Sequence, residues 1–522
     1  MDEAASARAL VRAASGLTVA AAFRMQVRLR GGAPALQEGA RTRSYRELDA
    51  RVARLAHLLA ARGLRRGDRV AMLSENRSEY LELFLAAGRL GVIVACQNWR
   101  LADDELAHCI RLVAPRLLVA SPRHAPTLAR IDHAVPATLL LDAAFEHALA
   151  ADDRADMPDA AEPEDGLVIL YTSGTTGLPK GALISHRAMV ARSMVAAADW
   201  GCGAEDAFVA WTPLFHMGAA DQALATLMQG GKVVVMDGFQ PAALAEIATR
   251  ERIGHLTVVP GVIDRLIVEL RRLSAPPARV RVVGVMPDLV PPHQLAELTG
   301  LVGAPYGNTF GSTETGMPPA SRGLIPPGVA PTRLSKQQSS FCAVRLVDPD
   351  DHEVADGEPG EMTLRGPTLF SGYWGADAVN AEEFRGGWFH MGDVFRRNPD
   401  GTLDFVDRRK YLIKSGGENI YPAEIERVIL AMPGVADAVV VRRADARWGE
   451  VPVAFVVRHD PALTREAVLA ACRAGIAGYK QPKDVVFLAE TDLPRSTSGK
   501  IQRHLLEGRL AAPGWNAGPR MG

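Results

Sequence analysis

The hydrophobic residues of the N-terminal part of the chain alternate between two spacings. Residues 45–59 place apolar side chains at helical intervals, which predicts an amphipathic helix. A Gly-Asp turn then leads into residues 69–73, a short apolar run typical of a buried strand. Residues 80–87 return to helical spacing, and a glycine closes the segment. This alternation of strands and helices predicts an α/β fold with much parallel sheet.

The pattern changes toward the C-terminal end. Apolar strand segments recur at residues 167–171, 232–236 and 256–259, and beyond about residue 340 they become shorter and are separated by Gly and Asp turns. After Tyr411, two helical and two strand patterns predict a small α+β module. They cover residues 422–432, 436–441, 451–458 and 464–474. We therefore expect an α/β protein with a large N-terminal domain of several parallel-sheet subdomains and a small α+β C-terminal domain.

Composition and charge narrow the class of protein. A length of 522 residues exceeds what one core usually organises, and 48% hydrophobic and 23% charged residues are ordinary for a globular protein. The formal net charge of -1 gives no electrostatic case for nucleic acid or an anionic membrane as main partner. We find no signal-peptide pattern, no run of 18 apolar residues and no paired spacing among the five cysteines. We expect a cytoplasmic protein without membrane insertion.

Lysine is rare in this chain and concentrated in motif-like segments. Only eight of the 59 basic residues are lysines, and six of them lie in such segments: Lys180, Lys410, Lys414, Lys480, Lys483 and Lys500. Residues 173–177 follow a buried strand and combine glycines with three hydroxyl side chains, a composition suited to cradling a phosphate. The alternative is a Gly/Ser/Thr-rich surface loop. The segment is not a Walker motif, because the following lysine is not flanked by Gly and Ser or Thr.

Residues 171–181 as a whole resemble the phosphate-loop signature of the adenylate-forming (ANL) superfamily, which contains acyl-CoA synthetases, peptide-synthetase adenylation domains and beetle luciferases. The resemblance extends from about Tyr45 to Arg503, with each motif in the expected order. It implies that this loop and the lysine after it hold the phosphates of ATP. The residues concerned are Thr172, Ser173, Gly174, Thr175, Thr176, Gly177 and Lys180.

A second segment, residues 310–314, resembles the adenine and metal motif of that family. The resemblance implies that Phe310, which replaces the usual Tyr, stacks on adenine and that Gly311 belongs to the nucleotide site. It further implies that Thr313 contacts the phosphate and that Glu314 holds Mg²⁺.

The next motifs mark the junction of the two predicted domains. By resemblance, Asp393 binds the ribose hydroxyls, Arg408 supports ribose or phosphate, and Lys410 is the hinge on which a mobile C-terminal lid turns. The predicted domains are therefore residues 1–409, which bind AMP and the acyl group, and residues 411–522, which form the lid.

Two segments of the lid resemble the loops that alternate in the active site. Gly416 and Gly417 would line the tunnel for the pantetheine arm of CoA, where a side chain would block passage, and Lys414 beside them could orient the lid. Lys500 would reach the substrate carboxylate and the α-phosphate, where its charge stabilises the transition state of adenylation.

The acyl pocket is assigned by resemblance alone. His216 would lie beside the bound carboxylate, with Gly218, Gly261, Gly284 and Met286 around the pocket. A single histidine near an apolar run is otherwise more often a core residue.

Three departures from the family pattern concern this region. Val285 and Met286 add bulk where the family usually has Gly-Ala, and residues 334–341 lack the usual Gly-Pro-rich turn. Asp221 stands in a usually apolar neighbourhood. It could meet a polar group of the substrate, but we favour a helix cap.

The sequence thus predicts an AMP-forming acid:CoA ligase that uses ATP, Mg²⁺ and CoA. A carboxylate would attack the α-phosphorus to give acyl-AMP and pyrophosphate, the lid would rotate, and the thiol would attack the activated carbonyl. The alternative enzyme makes acyl-AMP only and passes the acyl group, for example of a bulky secondary-metabolite acid, to a carrier protein or partner enzyme. A nucleotide-binding paralogue with a dead site and a luciferase-like oxidase are further alternatives, and a homodimer is kept among the expected assemblies. The sequence does not identify the acid.

Overall fold

The chain divides into two compact units in a computed structural model. Unit 1 comprises residues 1–344 and 364–389, and unit 2 comprises residues 345–363 and 390–522. The structure describes residues 10–11, 14–151, 157, 159–172, 178–273, 275–416, 418–495 and 501–511. No helix in these ranges is long and apolar enough to cross a membrane. The predicted boundary after residue 409 differs from this division. The division into compact units does not show whether unit 2 rotates, so the hinge at Lys410 stays a prediction.

Unit 1 alternates strands and helices, as the hydrophobic pattern predicts. Its strands are β1 (Pro34–Glu38), β2 (Arg41–Ser44), β3 (Arg69–Leu73), β4 (Ile93–Cys96), β5 (Leu117–Ala120), β6 (Thr138–Leu140), β7 (Gly166–Thr172), β8 (Lys180–Ser185), β9 (Ala207–Ala210), β10 (Lys232–Val235), β11 (Arg252–Leu256), β12 (Arg279–Val283), β13 (Tyr306–Gly307), β14 (Phe310–Ser312), β15 (Gly316–Ala320) and β16 (Leu324–Ile325). Its helices are α1 (Val19–Arg30), α2 (Tyr45–Ala61), α3 (Ser78–Leu90), α4 (Asp103–Val113), α5 (Ala125–Arg130), α6 (Ala143–Ala151), α7 (His186–Trp200), α8 (Met217–Gln229), α9 (Pro241–Arg250), α10 (Ile263–Arg272), α11 (Pro292–Val302) and α12 (Asp377–Glu383).

Two large sheets organise these strands. One has the order β6-β5-β3-β4-β7-β8 and is parallel except for the last pair, in which β8 returns antiparallel to β7. The other has the order β16-β13-β12-β11-β9-β10-β1-β2 and is parallel from β13 to β1. The prediction of an α/β fold with parallel sheets is confirmed.

The helix predicted at residues 45–59 shows how local sequence and burial agree. Ser44 and Glu47 form a capping box at the start of α2, which satisfies backbone N–H groups that the first turn leaves unpaired. The Tyr45 ring is fully buried, and its hydroxyl donates to the carbonyls of Leu227 and Gly231. The helix is therefore fixed at its N-terminal end by both its cap and its first side chain.

Unit 2 contains the α+β module predicted after Tyr411. Unit 2 also includes most residues of a four-stranded sheet that precedes this module. Its strands pair in chain order: β17 (Ala343–Val347), β18 (Pro359–Arg365), β19 (Phe389–Arg397) and β20 (Leu403–Arg408). A second sheet has the order β22-β21-β24-β23, with β25 paired to β24; its strands are β21 (Ile413–Ser415), β22 (Glu418–Ile420), β23 (Val435–Asp445), β24 (Gly449–Arg458) and β25 (Asp484–Leu488). The helices of the module are α13 (Pro422–Leu430), α14 (Arg465–Gly475) and α15 (Arg503–Ala511).

Burial keeps two histidines of unit 1 in the neutral form. His255 donates from Nε2 to the Gly284 carbonyl at 3.2 Å and accepts at Nδ1 from the Thr257 hydroxyl at 3.3 Å. His186 accepts at Nδ1 from the Val19 N–H at 3.2 Å. Burial lowers the pKa of each ring from 6.5 to about 4, because the charged ring would lose its hydration.

Because the pKa of both histidines is lowered, we predict that acid destabilises unit 1. Since the folded-state pKa is depressed, their contribution is complete above pH 6.5 and is lost as the pH falls through about 4. His255→Gln keeps one donor and one acceptor but does not titrate. We expect its unfolding free energy to fall by about 3 kcal/mol less than that of the wild type over this range. The measurement is thermal unfolding against pH, with His352→Gln, whose side chain is 80% exposed, as control. The same pH dependence in all three proteins would contradict the assignment.

Candidate active site

The hairpin of β7 and β8 frames the predicted phosphate loop. The two strands pair with Thr172 directly opposite Lys180, so these residues lie side by side where the loop leaves and rejoins the hairpin. The intervening residues lie outside the described residues: Ser173, Gly174, Thr175, Thr176 and Gly177. Their contact with ATP phosphates stays a prediction, whereas the two flanking positions have the proximity that such a loop requires.

One phenol connects Lys180 to Glu314. The Lys180 Nζ lies 4.9 Å from the centroid of the Tyr373 ring, and the Tyr373 hydroxyl donates to Glu314 Oε1 at 2.8 Å. The Phe370 N–H donates to the Glu314 carbonyl at 2.8 Å. A cation over a ring face and a carboxylate at its hydroxyl are both favourable contacts, so Tyr373 fixes the two charges relative to each other. The local sequence around Tyr373 shows only two adjacent aromatics after a Ser-Gly pair, and sequence reasoning missed this residue.

Glu314 has the chemistry of a magnesium ligand. Mg²⁺ is usually held by one or two carboxylates together with substrate phosphates and water. One carboxylate oxygen of Glu314 accepts from Tyr373, and the other makes no hydrogen bond within the described part of the chain. The residue therefore fits the metal role that the resemblance implies.

The strand pair β14 and β15 holds the predicted adenine-binding residues. Phe310 pairs with Ala320, and Gly311 pairs with Pro319. A Cβ on Gly311 would lie 2.1 Å from the Gly316 carbonyl oxygen, so only glycine fits this position. Phe310 is half-buried in unit 1. Its stacking on adenine remains a prediction.

A buried arginine holds the turn that carries Thr313 and Glu314. Arg192, on α7, has a side chain only 2% exposed. Its guanidinium donates to the Thr313 carbonyl, the Thr368 carbonyl and a carboxylate oxygen of Asp221, each at 3.0 Å. Its aliphatic stem packs so closely over Gly316 that a Cβ there would lie 2.9 Å away. Arg192 thereby joins α7, α8 and the nucleotide motif, a role that no local pattern in the sequence indicated.

The prediction that Asp221 caps a helix is wrong. The helix α8 begins at Met217 after His216, so Asp221 lies inside it, where backbone N–H groups already have partners. Its carboxylate is buried against Arg192. Burial raises the pKa of Asp221, and the arginine opposes that effect.

The glycines assigned to the acyl pocket differ in whether a side chain would fit at their positions. His216 precedes α8 with its ring centroid 4.5 Å from that of Phe215. A Cβ would meet nothing within 4 Å at Gly218 or Gly261, whereas at Gly284 it would come within 2.1 Å of the Tyr306 ring. Gly284 therefore has to be glycine for steric reasons.

Met286 is the unusual member of this set. Its φ of 51° is in the left-handed region, which non-glycine residues rarely occupy. The side chain is nevertheless 40% exposed. Strain of this kind concentrates at functional sites, which agrees with the predicted place of Met286 in the pocket wall.

In unit 2 Asp393, the predicted ribose ligand, and Arg408, predicted to support ribose or phosphate, are neighbours. Asp393 on β19 lies opposite Arg408 on β20, and Arg408 Nε lies 3.1 Å from Asp393 Oδ1. Asp393 is buried and Arg408 is largely exposed. A carboxylate oriented by an adjacent guanidinium is well suited to accept two ribose hydroxyls.

Two of the predicted lid residues, Lys410 and Lys414, lie in the turn before β21 and on β21. Lys410 is exposed in a short 3₁₀ turn, with its Nζ 4.9 Å from the centroid of the Tyr411 ring. The Lys414 N–H donates to the Glu450 carboxylate at 2.9 Å. Gly417 and Lys500 lie outside the described residues, and the roles of all four stay predictions.

Gly416 faces an indole that the sequence reasoning missed. It has a φ of 60°, and a Cβ would lie 2.7 Å from the Trp448 ring. The Gly416 N–H also donates to the Trp448 carbonyl at 2.8 Å. A side chain at Gly416 would therefore displace the tryptophan, which fits the requirement for glycine in this loop.

Comparison with known proteins agrees with this arrangement. The model of the AMP-binding enzyme family matches residues 23–374, and that of the AMP-binding enzyme C-terminal domain matches residues 424–500. The chain is 36% identical over 483 residues to the feruloyl-CoA synthase of an Amycolatopsis species, covering 91% of this chain and 96% of that protein. It is 34% identical over 491 residues to the indoleacetate–CoA ligase of Aromatoleum aromaticum, covering 91% and 94%.

A solved structure extends the similarity to three dimensions. The o-succinylbenzoate CoA synthetase of Bacillus subtilis, in complex with its acyl-adenylate intermediate, superposes with a TM-score of 0.82 at 26% identity. The match covers 94% of this chain and 98% of that one.

The contact between Tyr373 and Glu314 predicts a specific defect. Tyr373→Phe removes the hydroxyl that orients the carboxylate but keeps the ring beneath Lys180. A hydrogen bond to a charged group contributes about 1.5–3 kcal/mol, so we expect the Mg²⁺ concentration for half-maximal ATP binding to rise about 10- to 100-fold. The measurement is an ATP-binding titration at stepped Mg²⁺ concentrations. Tyr479→Phe, at a side chain 45% exposed, is the control. An unchanged Mg²⁺ requirement in the Tyr373 variant would refute the role of this contact.

Proposed function

The chain belongs to the AMP-binding enzyme family, and from this premise we propose that it is an acid:CoA ligase acting on an aromatic carboxylic acid. In the first half-reaction the substrate carboxylate attacks the α-phosphorus of ATP, forming acyl-AMP and releasing pyrophosphate. In the second, the CoA thiol attacks the acyl carbonyl, the C–O bond to AMP breaks, and acyl-CoA and AMP result.

The array of Lys180, Tyr373 and Glu314 is the observation that carries this proposal. Tyr373 contacts both the Lys180 ammonium and the Glu314 carboxylate, which could bind a metal ion. Lys180 lies opposite Thr172, where the triphosphate would bind. Mg²⁺ on Glu314 would neutralise phosphate charge during the transfer. Lys180 would bind the phosphates, and Thr313, whose carbonyl is held by Arg192, would orient the group under attack.

Residues of unit 2 would supply the remaining contacts of the two half-reactions. Asp393, oriented by Arg408, would hold the ribose, and Lys500 would stabilise the charge that develops in adenylation. After rotation about Lys410, the loop with Gly416 and Gly417 would admit the pantetheine arm.

The relatives and the pocket wall support an aromatic acid. Feruloyl-CoA synthase and indoleacetate–CoA ligase are named for aromatic acids and align over nine-tenths of this chain. The partly exposed Met286 offers a flexible, polarisable thioether, and sulfur–aromatic contacts are favourable.

The experiment is a two-step assay of the purified chain. Pyrophosphate release is first screened over benzoic, cinnamic, arylacetic and fatty acids, and the products with ATP, Mg²⁺ and CoA are then identified by mass spectrometry. We expect acyl-CoA and AMP from an aromatic acid. Acyl-AMP accumulating without acyl-CoA would instead support transfer to a carrier protein or partner enzyme. A clear preference for fatty acids would refute the substrate class.

Two variants should separate the half-reactions. Lys500→Ala should lower adenylation about 10²–10³-fold, because one charge-assisted contact to the transition state is lost. It should affect the reaction of pre-made acyl-AMP with CoA much less. Gly417→Leu should block thioester formation sterically and spare acyl-AMP synthesis. Parallel loss of both half-reactions in either variant would contradict the assigned roles.

A further inference from the structure

A lysine of unit 1 is completely buried beside the predicted acyl pocket. Lys336 is 0% exposed, and its Nζ donates to the Asp288 carboxylate and, at 2.6 Å, to Asn308 Oδ1. Taking an ammonium out of water is costly, so such a group persists only where its partners compensate for the lost hydration. Three separate segments of unit 1 therefore converge on one charge.

The two partners flank residues already assigned to the site. Asp288 lies two residues after Met286, and Asn308 lies two residues before Phe310. Asn308 also donates from Nδ2 to the Ser335 carbonyl at 2.9 Å, next to Lys336 itself. The lysine thus ties its own segment to both the Gly284–Asp288 loop and the strand that leads to Phe310.

The loop with Met286 is fastened at successive positions. The Val285 carbonyl accepts from the Tyr306 hydroxyl at 3.1 Å, and the Met286 N–H donates to Thr309 Oγ1 at 3.3 Å. Asp288 provides the charged anchor at the end of the loop. Together these contacts hold Met286 in a left-handed conformation that a non-glycine residue would otherwise leave.

The ion pair joins two segments whose sequences are unusual. The bulky Val285 and Met286 stand in the loop where the family usually has Gly-Ala, and Lys336 stands in the segment that lacks the Gly-Pro-rich turn. The two unusual segments meet at the contact between Lys336 and Asp288. The bulkier loop and the charge that fastens it are therefore in direct contact.

We propose that Lys336 is a positioning residue that determines acid specificity. Its pairing with Asp288 keeps the Met286 thioether presented at the wall of the acyl pocket and thereby limits the size of the acid. This inference rests on the proposed function, because it takes the Gly284–Asp288 loop as a wall of the acid site.

The test compares variants by selectivity. The variants are Lys336→Met, Asp288→Asn and Met286→Gly, and the substrates are benzoate, cinnamate, indole-3-acetate and 1-naphthylacetate. We expect both anchor variants to shift the ratio of kcat/KM between 1-naphthylacetate and benzoate about tenfold in favour of the bulkier acid, in the direction of Met286→Gly. KM for ATP should change less than about twofold, since the nucleotide motif keeps its other contacts.

A matched lysine provides the control. Lys232 on β10 also pairs with a carboxylate, that of Glu251, and lies outside every predicted site. Lys232→Met should leave the selectivity ratio unchanged. If Lys336→Met does not fold, Lys336→Met combined with Asp288→Asn carries the test, because the double variant leaves neither charge of the pair without its partner.

The outcomes distinguish this inference from the proposed function. Lower thermal stability with an unchanged selectivity ratio in the anchor variants would overturn the specificity role and leave a structural anchor. If KM for ATP and KM for the acid rise equally in the anchor variants, the specificity role is overturned, and Lys336 instead supports adenine binding. A wild-type protein that forms no acyl-CoA from any of the acids would overturn the proposed function first, and this inference with it.

Discussion

The candidate site depends on a single buried guanidinium. Arg192 is withdrawn from water and has to find acceptors inside unit 1, which it does at Asp221 and at the carbonyls of Thr313 and Thr368. The guanidinium contacts these three acceptors with three different nitrogens in a planar fork, whereas a lysine carries all its donors on one nitrogen. The need to satisfy this group therefore fixes the distance between α7, α8 and the turn that carries Glu314.

From this anchor the charges of the site are arranged by short contacts. Glu314 follows the held Thr313, its carboxylate accepts from Tyr373, and the same ring lies beneath Lys180. Each contact restricts the next side chain, so the groups that would face ATP are oriented before any ligand binds. Preorganisation of this kind is how polar groups stabilise developing charge most effectively. The neutral His255, which donates to the Gly284 carbonyl, holds the neighbouring loop without adding charge.

The sequence predicted the local elements well and the long-range contacts poorly. The helix from Tyr45 and the strand Arg69–Leu73 were predictable because spacing and turn residues act over a few positions. Asp221 was assigned wrongly because its partner lies 29 positions away, on another helix. Lys336 was noticed only as part of an unusual segment, since its burial depends on Asp288 and Asn308, which local spacing does not bring to it. Motif order identified the family, whereas tertiary contacts decide which side chains hold the site together.

The most direct test of this account is the affinity of Arg192→Lys for Mg·ATP. Lysine keeps the charge opposite Asp221 but has one nitrogen in place of the three with which Arg192 contacts Asp221, Thr313 and Thr368. Calorimetric titration, with thermal unfolding to verify that the variant is folded, should give a dissociation constant for Mg·ATP at least about tenfold above that of the wild type. A folded variant that binds Mg·ATP as tightly as the wild type would contradict the claim that Arg192 holds the nucleotide site in place.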